Sequence, residues 1–292
     1  MAGDANYASV SLLLHCDGTN GSTTFTDSSP TPKTITRFGD AQISTAQSKF
    51  GGSSIRLDGT GDYINAPSGA AFSLDADYTF EVWVYPLALA YACIFDTRTT
   101  GPQLSLTVNL NDDGSISTYL HPSNYSSSGA SYAANAWNHI AVSRSGSTGR
   151  FFINGTLCGT YSHTVPGNGG NVCRISGNID GNLNFNGYLD DIRITKGVAR
   201  YTGNFTPPAA AFDDRLPQVS GNVKDASGAN AARTVRAYRR DTGALVGSAT
   251  SNGTTGNYTI DCATDVEVTV IAFDNATSGT YYNDQAARVI PA

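Results

Sequence analysis

The feature that most constrains this chain is the alternation of apolar and other side chains with a period of two residues. Residues 79–85 read Thr-Phe-Glu-Val-Trp-Val-Tyr, so Phe80, Val82 and Val84 point to one side of an extended strand. Residues 104–110, 137–144 and 187–195 alternate in a similar way. No segment shows a convincing 3.6-residue period, which an amphipathic helix would require. The pattern predicts an all-β protein.

Turn-forming pairs separate these segments. Asn154-Gly155 lies between two apolar runs, and this dipeptide tolerates the positive φ angles of a two-residue type I′ hairpin turn. Further Asp-Gly pairs occur at residues 58–59, 113–114 and 180–181. Turns that recur about every ten residues are typical of a β-sandwich.

The composition changes near residue 207. Residues 206–211 read Thr-Pro-Pro-Ala-Ala-Ala, and a Pro-rich stretch of this kind forms a stiff, extended connection. We therefore predict a sandwich over residues 1–206, a linker over 207–216 and a smaller β-sandwich over 217–292. Predicted strands of the smaller domain cover residues 218–224, 234–240, 245–250, 258–262, 266–273 and 286–290.

Charge and hydropathy exclude two classes of partner. Only 14% of the residues are charged and the net charge is −6, whereas a nucleic-acid partner requires a basic face. No apolar stretch reaches the ~20 residues that span a bilayer, so we expect no membrane insertion. The first residues lack the basic region of a signal peptide, which predicts synthesis in a cytoplasm without a cleaved leader.

The cysteines form no recognisable framework. There are five of them, widely spaced, with no C-x-x-C pair of the kind that binds zinc. We expect free thiols packed as small apolar side chains. A disulfide between Cys158 and Cys173 is the alternative, if the two residues fall on neighbouring strands.

A series of motifs runs through residues 9–212. They are Leu12-Leu13-Leu14-His15-Cys16-Asp17-Gly18, Asp27-Ser28-Ser29-Pro30, Phe50-Gly51-Gly52-Ser53-Ser54, Leu57-Asp58-Gly59-Thr60-Gly61-Asp62-Tyr63, Tyr78-Thr79-Phe80-Glu81-Val82-Trp83-Val84, Trp137-Asn138-His139-Ile140-Ala141, Phe152-Ile153-Asn154-Gly155 and Phe185-Asn186-Gly187-Tyr188-Leu189-Asp190-Asp191-Ile192-Arg193-Ile194. Through these motifs, residues 9–212 resemble the laminin G-like jelly rolls of the concanavalin A-like lectin/glucanase superfamily. The resemblance implies a jelly-roll sandwich.

Two further resemblances concern the ends of the domains. Residues 195–201, Thr-Lys-Gly-Val-Ala-Arg-Tyr, with Phe-Thr-Pro-Pro at 205–208, are similar to the ending of jelly rolls in bacteriophage virion proteins, and the final residues 288–292 also look phage-like. Through Ser220-Gly221-Asn222-Val223 and Gly256-Asn257-Tyr258, residues 217–292 resemble carboxypeptidase-regulatory modules, which are immunoglobulin-like (transthyretin-like) sandwiches. The resemblance implies a virion protein that is made in the host cytoplasm and exposed on the particle surface.

Acidic residues for catalysis are scarce. The glucanases of this superfamily use two glutamates on one strand face, and glycoside hydrolysis generally needs a pair of carboxylates about 5–10 Å apart. The whole chain contains two glutamates, Glu81 and Glu267, which fall in different predicted domains. Asp190 and Asp191 are adjacent, so a regular strand would point them to opposite faces. There is also no G-x-S-x-G elbow. We therefore predict no enzymatic activity.

A sugar ligand would use aromatic faces with nearby polar groups. The candidate ligand-binding residues are Trp83, Tyr85, Tyr119, His121, Asn124, Tyr125 and Tyr132. For Trp83 the alternative is packing within the sandwich, because large aromatic side chains dominate cores. For residues 119–132 the alternative is a protein interface, since Tyr and Ser together suit both kinds of partner.

We expect no organic cofactor, but the resemblance implies a structural calcium ion. Asp17 on the first strand and Asp191 on the last strand of the jelly roll are its candidate ligands, because those strands are neighbours in this fold. The loop Asp58-Gly59-Thr60-Gly61-Asp62 is a second candidate. Its alternative is a Gly-rich turn in which Asp bonds its own backbone.

The leading functional hypothesis is a non-enzymatic component of a phage particle: a capsid decoration, a head fibre or a tail-associated protein. Its expected partners are other virion proteins of the capsid or tail, further copies of itself on the particle, and host surface glycans bound weakly. A dedicated carbohydrate-binding adhesin or a secreted lectin-like protein is the alternative. A glycan-degrading enzyme is disfavoured by the shortage of glutamate.

Overall fold

The structure is a computed structural model that describes residues 3–99, 106–120, 123–163, 172–225, 227–264, 266–273 and 286–291. The chain forms two compact units: residues 9–212, here the large unit, and residues 1–8 with 213–292, here the small unit. Within the described ranges the only helices are two short 3₁₀ turns, Tyr7–Ser9 and Ala70–Phe72. The all-β prediction is confirmed. None of the described helices has the length and hydropathy needed to cross a bilayer.

The large unit contains fifteen strands in the described residues. They are β1 (Val10–Leu14), β2 (Thr36–Phe38), β3 (Gln42–Ser44), β4 (Ser54–Asp58), β5 (Tyr63–Ala66), β6 (Tyr78–Pro86), β7 (Ala92–Asp96), β8 (Thr107–Leu110), β9 (Ile116–Leu120), β10 (Ser123–Ser126), β11 (Asn138–Ser145), β12 (Thr148–Ile153), β13 (Thr156–Ser162), β14 (Cys173–Ile175) and β15 (Asn186–Lys196).

These strands form two antiparallel sheets. The eight-stranded sheet has the order β13-β12-β11-β6-β15-β4-β3, with β1 also paired to β15. The seven-stranded sheet has the order β10-β9-β8-β7-β14-β5-β2. Apolar side chains from both sheets share one core, and the rings of Phe80 on β6 and Phe95 on β7 stack across it with centroids 4.3 Å apart. Burial of such side chains is the main stabilising term of a sandwich.

The β12–β13 hairpin shows how local sequence sets the fold. Asn154 and Gly155 both have positive φ, 50° and 78°, as the predicted type I′ turn requires. The backbone oxygen of Phe205 occupies the space that a side chain at residue 155 would fill, and the Phe205 N–H donates to the Gly155 carbonyl at 2.9 Å. The turn is therefore specific for glycine for two separate reasons.

A segment of 16 residues, 197–212, follows β15 and covers part of the outer face of the eight-stranded sheet. We call it the covering segment. Tyr201 and Phe205 stack on each other at 3.6 Å, and both contact the rings of Phe152 and His139 on the sheet. The aromatic contacts explain why the strands beneath are buried on both faces rather than on one.

Glu81 on β6 is the charged centre of this contact. Its carboxylate accepts hydrogen bonds from Arg193 Nε at 2.9 Å and from the Tyr201 hydroxyl at 2.7 Å, and it lies 3.4 Å from His139 Nε2. Burial by itself raises the pKa of Glu81, but Arg193, His139 and Arg200 outweigh it and hold the pKa at about 2. Glu81 therefore remains ionised although it is fully buried.

The small unit has six strands in its described part: β16 (Gln218–Asn222), β17 (Thr234–Arg239), β18 (Leu245–Thr250), β19 (Asn257–Asp261), β20 (Val268–Phe273) and β21 (Ala286–Val289). β16 pairs with β19, and the other four form a sheet in the order β18-β17-β20-β21. Val219, Val235, Ile260 and Val270 share its core. All six lie where the sequence pattern predicts a strand; the immunoglobulin-like class remains a prediction.

The boundary between the units differs from the sequence prediction of a linker over 207–216. The large unit continues to Phe212, which is 5% exposed, donates its N–H to Asp191 and packs its ring 3.8 Å from the Arg193 guanidinium. Residues 207–212 form a coil, and Phe212 at its end packs on the eight-stranded sheet. At the other end, Asp4 donates its N–H to the Arg215 carbonyl, which joins the N-terminus to the small unit.

All five cysteines are buried and unpaired. The alternative of a bond between Cys158 and Cys173 is wrong: both thiols are free, and they lie on β13 and β14, which are in different sheets and are not neighbouring strands. The expectation of free thiols packed as small apolar side chains is confirmed.

Replacing Glu81 by Gln tests the buried ion cluster. The substitution removes the charge that balances Arg193, and we expect a loss of about 3 kcal/mol in the free energy of unfolding at pH 7. The pKa of Glu81 is lowered in the folded state, so its stabilisation is complete above the unfolded value near 4.5 and disappears as the pH falls towards 2. The difference between the wild type and E81Q should therefore shrink over that interval in denaturant titrations.

The matched control is Glu267→Gln, which breaks a partly exposed pair with Arg240. We expect a change below about 1 kcal/mol there. Equal losses for the two variants, or a loss in E81Q that is constant from pH 7 to pH 2, would contradict the assignment.

Replacing Gly155 by Ala tests the contact between the hairpin turn and the covering segment. Gly181 has the same φ, 79° against 78°, but nothing lies within 4 Å of the position of an added Cβ. Gly181→Ala should cost only the strain of a positive φ, about 1 kcal/mol. Gly155→Ala should cost about 1–3 kcal/mol more, because the Phe205 backbone must move. Thermal unfolding of both variants measures the difference, and similar melting temperatures would disprove the contact.

Candidate functional site

The sequence-predicted ligand residues do not form one site. Trp83 and Tyr85 lie on β6 of the eight-stranded sheet, whereas Tyr119, Asn124 and Tyr125 lie on the β9–β10 hairpin of the seven-stranded sheet. Tyr132 lies between β10 and β11, and His121 falls outside the described residues. The two groups belong to different sheets, so they cannot surround a single sugar.

Trp83 is on the outer face of its sheet but is 5% exposed. The ammonium group of Lys49 lies 3.8 Å from the centre of its ring, and Phe50 and His139 contact it edge-on at 5.9 and 5.1 Å. Side chains of the chain itself therefore occupy the surroundings of this ring. The Trp83 ring is buried, as the alternative to ligand binding supposes, but it packs on the outer face of its sheet and not within the sandwich.

On the β9–β10 hairpin, Asn124 and Tyr119 are cross-strand partners and share the outer face. Tyr125, the next residue, points inward and stacks on Tyr161 at 5.1 Å. Tyr132 is 2% exposed and donates its hydroxyl to the Asn111 carbonyl at 2.6 Å, which gives it a structural role. Only Tyr119 and Asn124 of this group face away from the core.

A different aromatic group lies open on the eight-stranded sheet. Tyr85 on β6 contacts Trp137 at 5.5 Å and Tyr188 on β15 at 6.0 Å, with steep angles of 63° and 80° between the rings. The Arg56 guanidinium lies 5.3 Å from the Tyr188 ring. All four side chains are partly exposed. We call this group the Tyr85 surface.

The cross-strand register builds the Tyr85 surface. Tyr188 is the direct partner of Tyr85 on β6 and of Arg56 on β4, so the three side chains stand in one row on the same face. Sequence reasoning identified Tyr85 but missed Trp137 and Tyr188. The alternation of side chains places Tyr188 on one face of its strand. It does not give the register between strands that are distant in the chain, and that register is what brings Tyr188 beside Tyr85.

The covering segment ends short of this row. It buries Glu81 and His139, while Tyr85, four residues further along β6 than Glu81, remains partly exposed. The outer face of the eight-stranded sheet thus has a closed part, fixed by ion pairs and stacked rings, and an open aromatic part. The rings of the open part are held by their neighbours, so a ligand would meet a largely preformed surface.

The candidate calcium ligands Asp17 and Asp191 are near each other, as the fold resemblance implies. Burial raises the pKa of Asp17, His15 lowers it and the charge on Asp191 raises it. Asp191 is fully buried, and its two oxygens accept from His15 Nδ1 at 2.8 Å and from the Phe212 N–H at 2.7 Å. These protein partners use the Asp191 oxygens that calcium would need, and calcium binding there stays a prediction.

At the second candidate calcium site, the Asp58–Asp62 loop, the structure adds Asp40, which the sequence did not suggest. Carboxylate oxygens of Asp40, Asp58 and Asp62 lie within 4.8 Å of one another. Asp62 accepts from the backbone N–H groups of Asp40 and Asp58, and Asp58 accepts from the Thr60 N–H at 2.6 Å. The last bond is the Asx-type turn contact that the Gly-rich sequence indicates.

Asp190 is the carboxyl group with the most unusual environment. Burial raises its pKa to about 7, although the N–H groups of Lys49 and Phe50 donate to it at 2.7 and 3.1 Å and oppose the rise. These bonds fix the Lys49–Phe50 loop over Trp83. Asp190 and Asp191 have separate partners, as expected for adjacent residues of a strand. The strand is irregular here, however, because Asp191 has a φ of 46° and the register with β6 shifts between Asp190 and Arg193.

Comparison with known proteins agrees with the large unit. Residues 58–200 match the family model described as the concanavalin A-like lectin/glucanases superfamily. No curated protein sequence matches the chain. Domain 4 of AbnA, a GH43 extracellular arabinanase from Geobacillus stearothermophilus, in complex with arabinotriose, superposes with a TM-score of 0.50 and 19% identity over 68% of this chain and 95% of that one.

The binding domain of botulinum neurotoxin serotype D/C is similar with a TM-score of 0.50 and 12% identity, over 92% of this chain and 73% of that one. At these identities the likeness concerns the fold. Together with the two sheets and their shared core, it confirms the architecture that the sequence motifs imply. The large unit is a two-sheet β-sandwich with the concanavalin A-like fold.

Proposed function

We propose that the chain is a non-enzymatic carbohydrate-binding protein and that the Tyr85 surface contacts the sugar. The observation that carries the proposal is the row of partly exposed rings, Tyr85, Trp137 and Tyr188, on a rigid sheet. The C–H groups on one face of a sugar ring pack well on aromatic faces, and phenol, indole and guanidinium groups at the rim offer hydrogen bonds to its hydroxyls.

The fold supports a sugar as the ligand class. The AbnA domain that superposes over 68% of this chain is in complex with arabinotriose. Because that likeness extends to the fold only, the position of the site rests on the side chains of this chain. Arg56 at one end of the Tyr85 surface adds a planar donor group, which suits recognition of sugar oxygens.

The state of the glutamates supports a role without catalysis. Glycoside hydrolysis requires one carboxyl group that donates a proton and a second that acts as nucleophile or base. Glu81 is held ionised beneath the covering segment by Arg193 and Tyr201, and Glu267 lies in the other unit beside Arg240. Neither carboxylate is available to a sugar on the Tyr85 surface.

We further propose that the protein is exposed on a bacteriophage particle. The support is the sequence of residues 195–208, which resembles the ending of virion jelly rolls and which forms much of the covering segment.

A single weak site of millimolar affinity is worth only about 4 kcal/mol, but many copies on one particle gain about two to four decades of avidity. An electron cryomicroscopy map of the particle tests this: density for the two units on its surface is expected, and their absence from the particle would exclude the role.

Truncation of Trp137 tests the sugar surface. Multimerised full-length protein applied to a glycan array should bind a defined set of glycans, and Trp137→Ala should weaken that binding about tenfold because a stacking face is lost. Tyr85→Ala should have a similar effect.

The control is Tyr91→Ala, which removes a more exposed aromatic ring, 51% exposed, from the loop after β6. It should leave binding unchanged. Absence of any glycan bound by the wild type would refute the proposal, and equal effects of the three alanine variants would refute the position of the site.

A further inference from the structure

A second group of aromatic and polar side chains lies on the outer face of the seven-stranded sheet. Phe38 on β2 and Tyr63 on β5 are direct cross-strand partners, and their rings stack 4.4 Å apart at 13°. The Arg174 guanidinium on β14 lies 3.9 Å from the centre of the Tyr63 ring. Phe38 is 38% exposed, so the stack is open at the Phe38 end.

Strand alternation places this group on the outer face. Ile64 and Ala66 on β5 and Cys173 and Ile175 on β14 are core residues. The residues between them, Asn65 and Arg174, therefore point outward, and they are direct cross-strand partners. Together with Phe38 and Tyr63 they form what we call the Phe38 site.

The Phe38 site contains two unsatisfied polar atoms. Arg174 is 8% exposed and donates from Nη1 to the Asn178 carbonyl at 2.6 Å, which fixes the guanidinium. Its Nε has no hydrogen-bond partner among the described residues, nor has Oδ1 of the neighbouring Asn65, and both atoms are buried. A buried donor or acceptor without a partner costs about 1–3 kcal/mol, so most folds avoid it unless a ligand or water completes the bond.

The nearby carboxylate does not take up the free donor. Asp96 on β7 is the cross-strand partner of Arg174, but its carboxylate is already occupied. It accepts hydrogen bonds from Arg98 Nε at 3.0 Å, from Arg98 Nη2 at 2.6 Å and from the Ile179 N–H. Asp180 also lies 3.6 Å from Arg98. The two arginines and two aspartates balance in charge, which favours a neutral ligand over an anionic one.

We propose that the Phe38 site is a second carbohydrate subsite, specific for a neutral sugar. Arg174 and Asn65 are direct cross-strand partners, so a sugar hydroxyl that reaches both side chains can accept from Arg174 Nε and donate to Asn65 Oδ1. The ring of the same sugar packs against Phe38. The inference takes its ligand class from the proposed function, but it rests on different residues.

The two sites lie on the outer faces of opposite sheets of one sandwich. The Tyr85 surface belongs to the eight-stranded sheet and the Phe38 site to the seven-stranded sheet. One sugar therefore cannot occupy both, and the large unit can hold two glycan chains at once. A single copy then acts as a bridge between glycans and not only as an anchor.

The experiment measures binding and bridging separately. Full-length protein is titrated with neutral monosaccharides (glucose, galactose, mannose and arabinose) by saturation-transfer NMR, and is mixed with beads that carry the neutral polysaccharides dextran, mannan or galactan. Phe38→Ala and Asn65→Leu should each raise the dissociation constant of the second site about tenfold. Both should abolish bead aggregation while binding that depends on Trp137 persists.

Arg174→Lys keeps the charge but removes the Nε donor, and should weaken binding similarly. Arg37→Ala is the matched control: it changes an exposed residue next to Phe38 whose cross-strand partner is the core residue Ile64. It should leave both readouts unchanged. Circular dichroism shows whether each variant keeps the sheet structure.

The outcomes separate this inference from the proposed function. If Trp137→Ala removes all sugar binding and Phe38→Ala none, the second subsite is refuted and the proposed function stands. If Phe38→Ala removes binding and Trp137→Ala has no effect, the Phe38 site stands and the Tyr85 surface fails. If the Phe38 variants bind and aggregate beads like the wild type, water alone completes the two polar atoms and the inference is wrong.

Discussion

The structure of the large unit depends on the way a buried carboxylate, Glu81, is neutralised. A charge in a protein interior is tolerated only when partners satisfy it. Arg193 on the adjacent strand and Tyr201 of the covering segment do so, and the stacked rings of Tyr201 and Phe205 exclude water from them. The ion cluster thus attaches a coil segment to a sheet face that would otherwise face solvent.

That attachment decides which surfaces remain for ligands. The covering segment closes the part of the sheet around Glu81, the Lys49–Phe50 loop closes the part around Trp83, and the rings of Tyr85, Trp137 and Tyr188 remain partly exposed beyond them. A residue with the chemistry of a catalytic acid is used to hold the fold, and the accessible aromatic side chains are left for recognition. This division of roles supports the proposed function, which is binding without turnover.

The sequence predicted the fold well because strand periodicity and turn chemistry are local. Alternation at residues 79–85 identified β6, and Asn154-Gly155 identified the hairpin turn. The packing of residues 207–212 was not predicted. The sequence pattern predicts a linker there, whereas Phe212 is buried by contacts with Asp191 and Arg193, about 20 residues away in the sequence. The site was only partly predictable for the same reason, since Tyr85 joins Tyr188 through a register between distant strands.

The most direct measurement of the central claim uses the two tryptophans of the chain, Trp83 and Trp137. Their indole N–H groups give two signals in a ¹⁵N-correlated NMR spectrum, which single substitutions assign. The protein is titrated with the glycan that it binds most tightly on the array. The Trp137 signal should shift, the signal of the buried Trp83 should keep its position, and the glycan should not be cleaved. A shift confined to Trp83, or the appearance of new reducing-end sugar signals, would contradict the account.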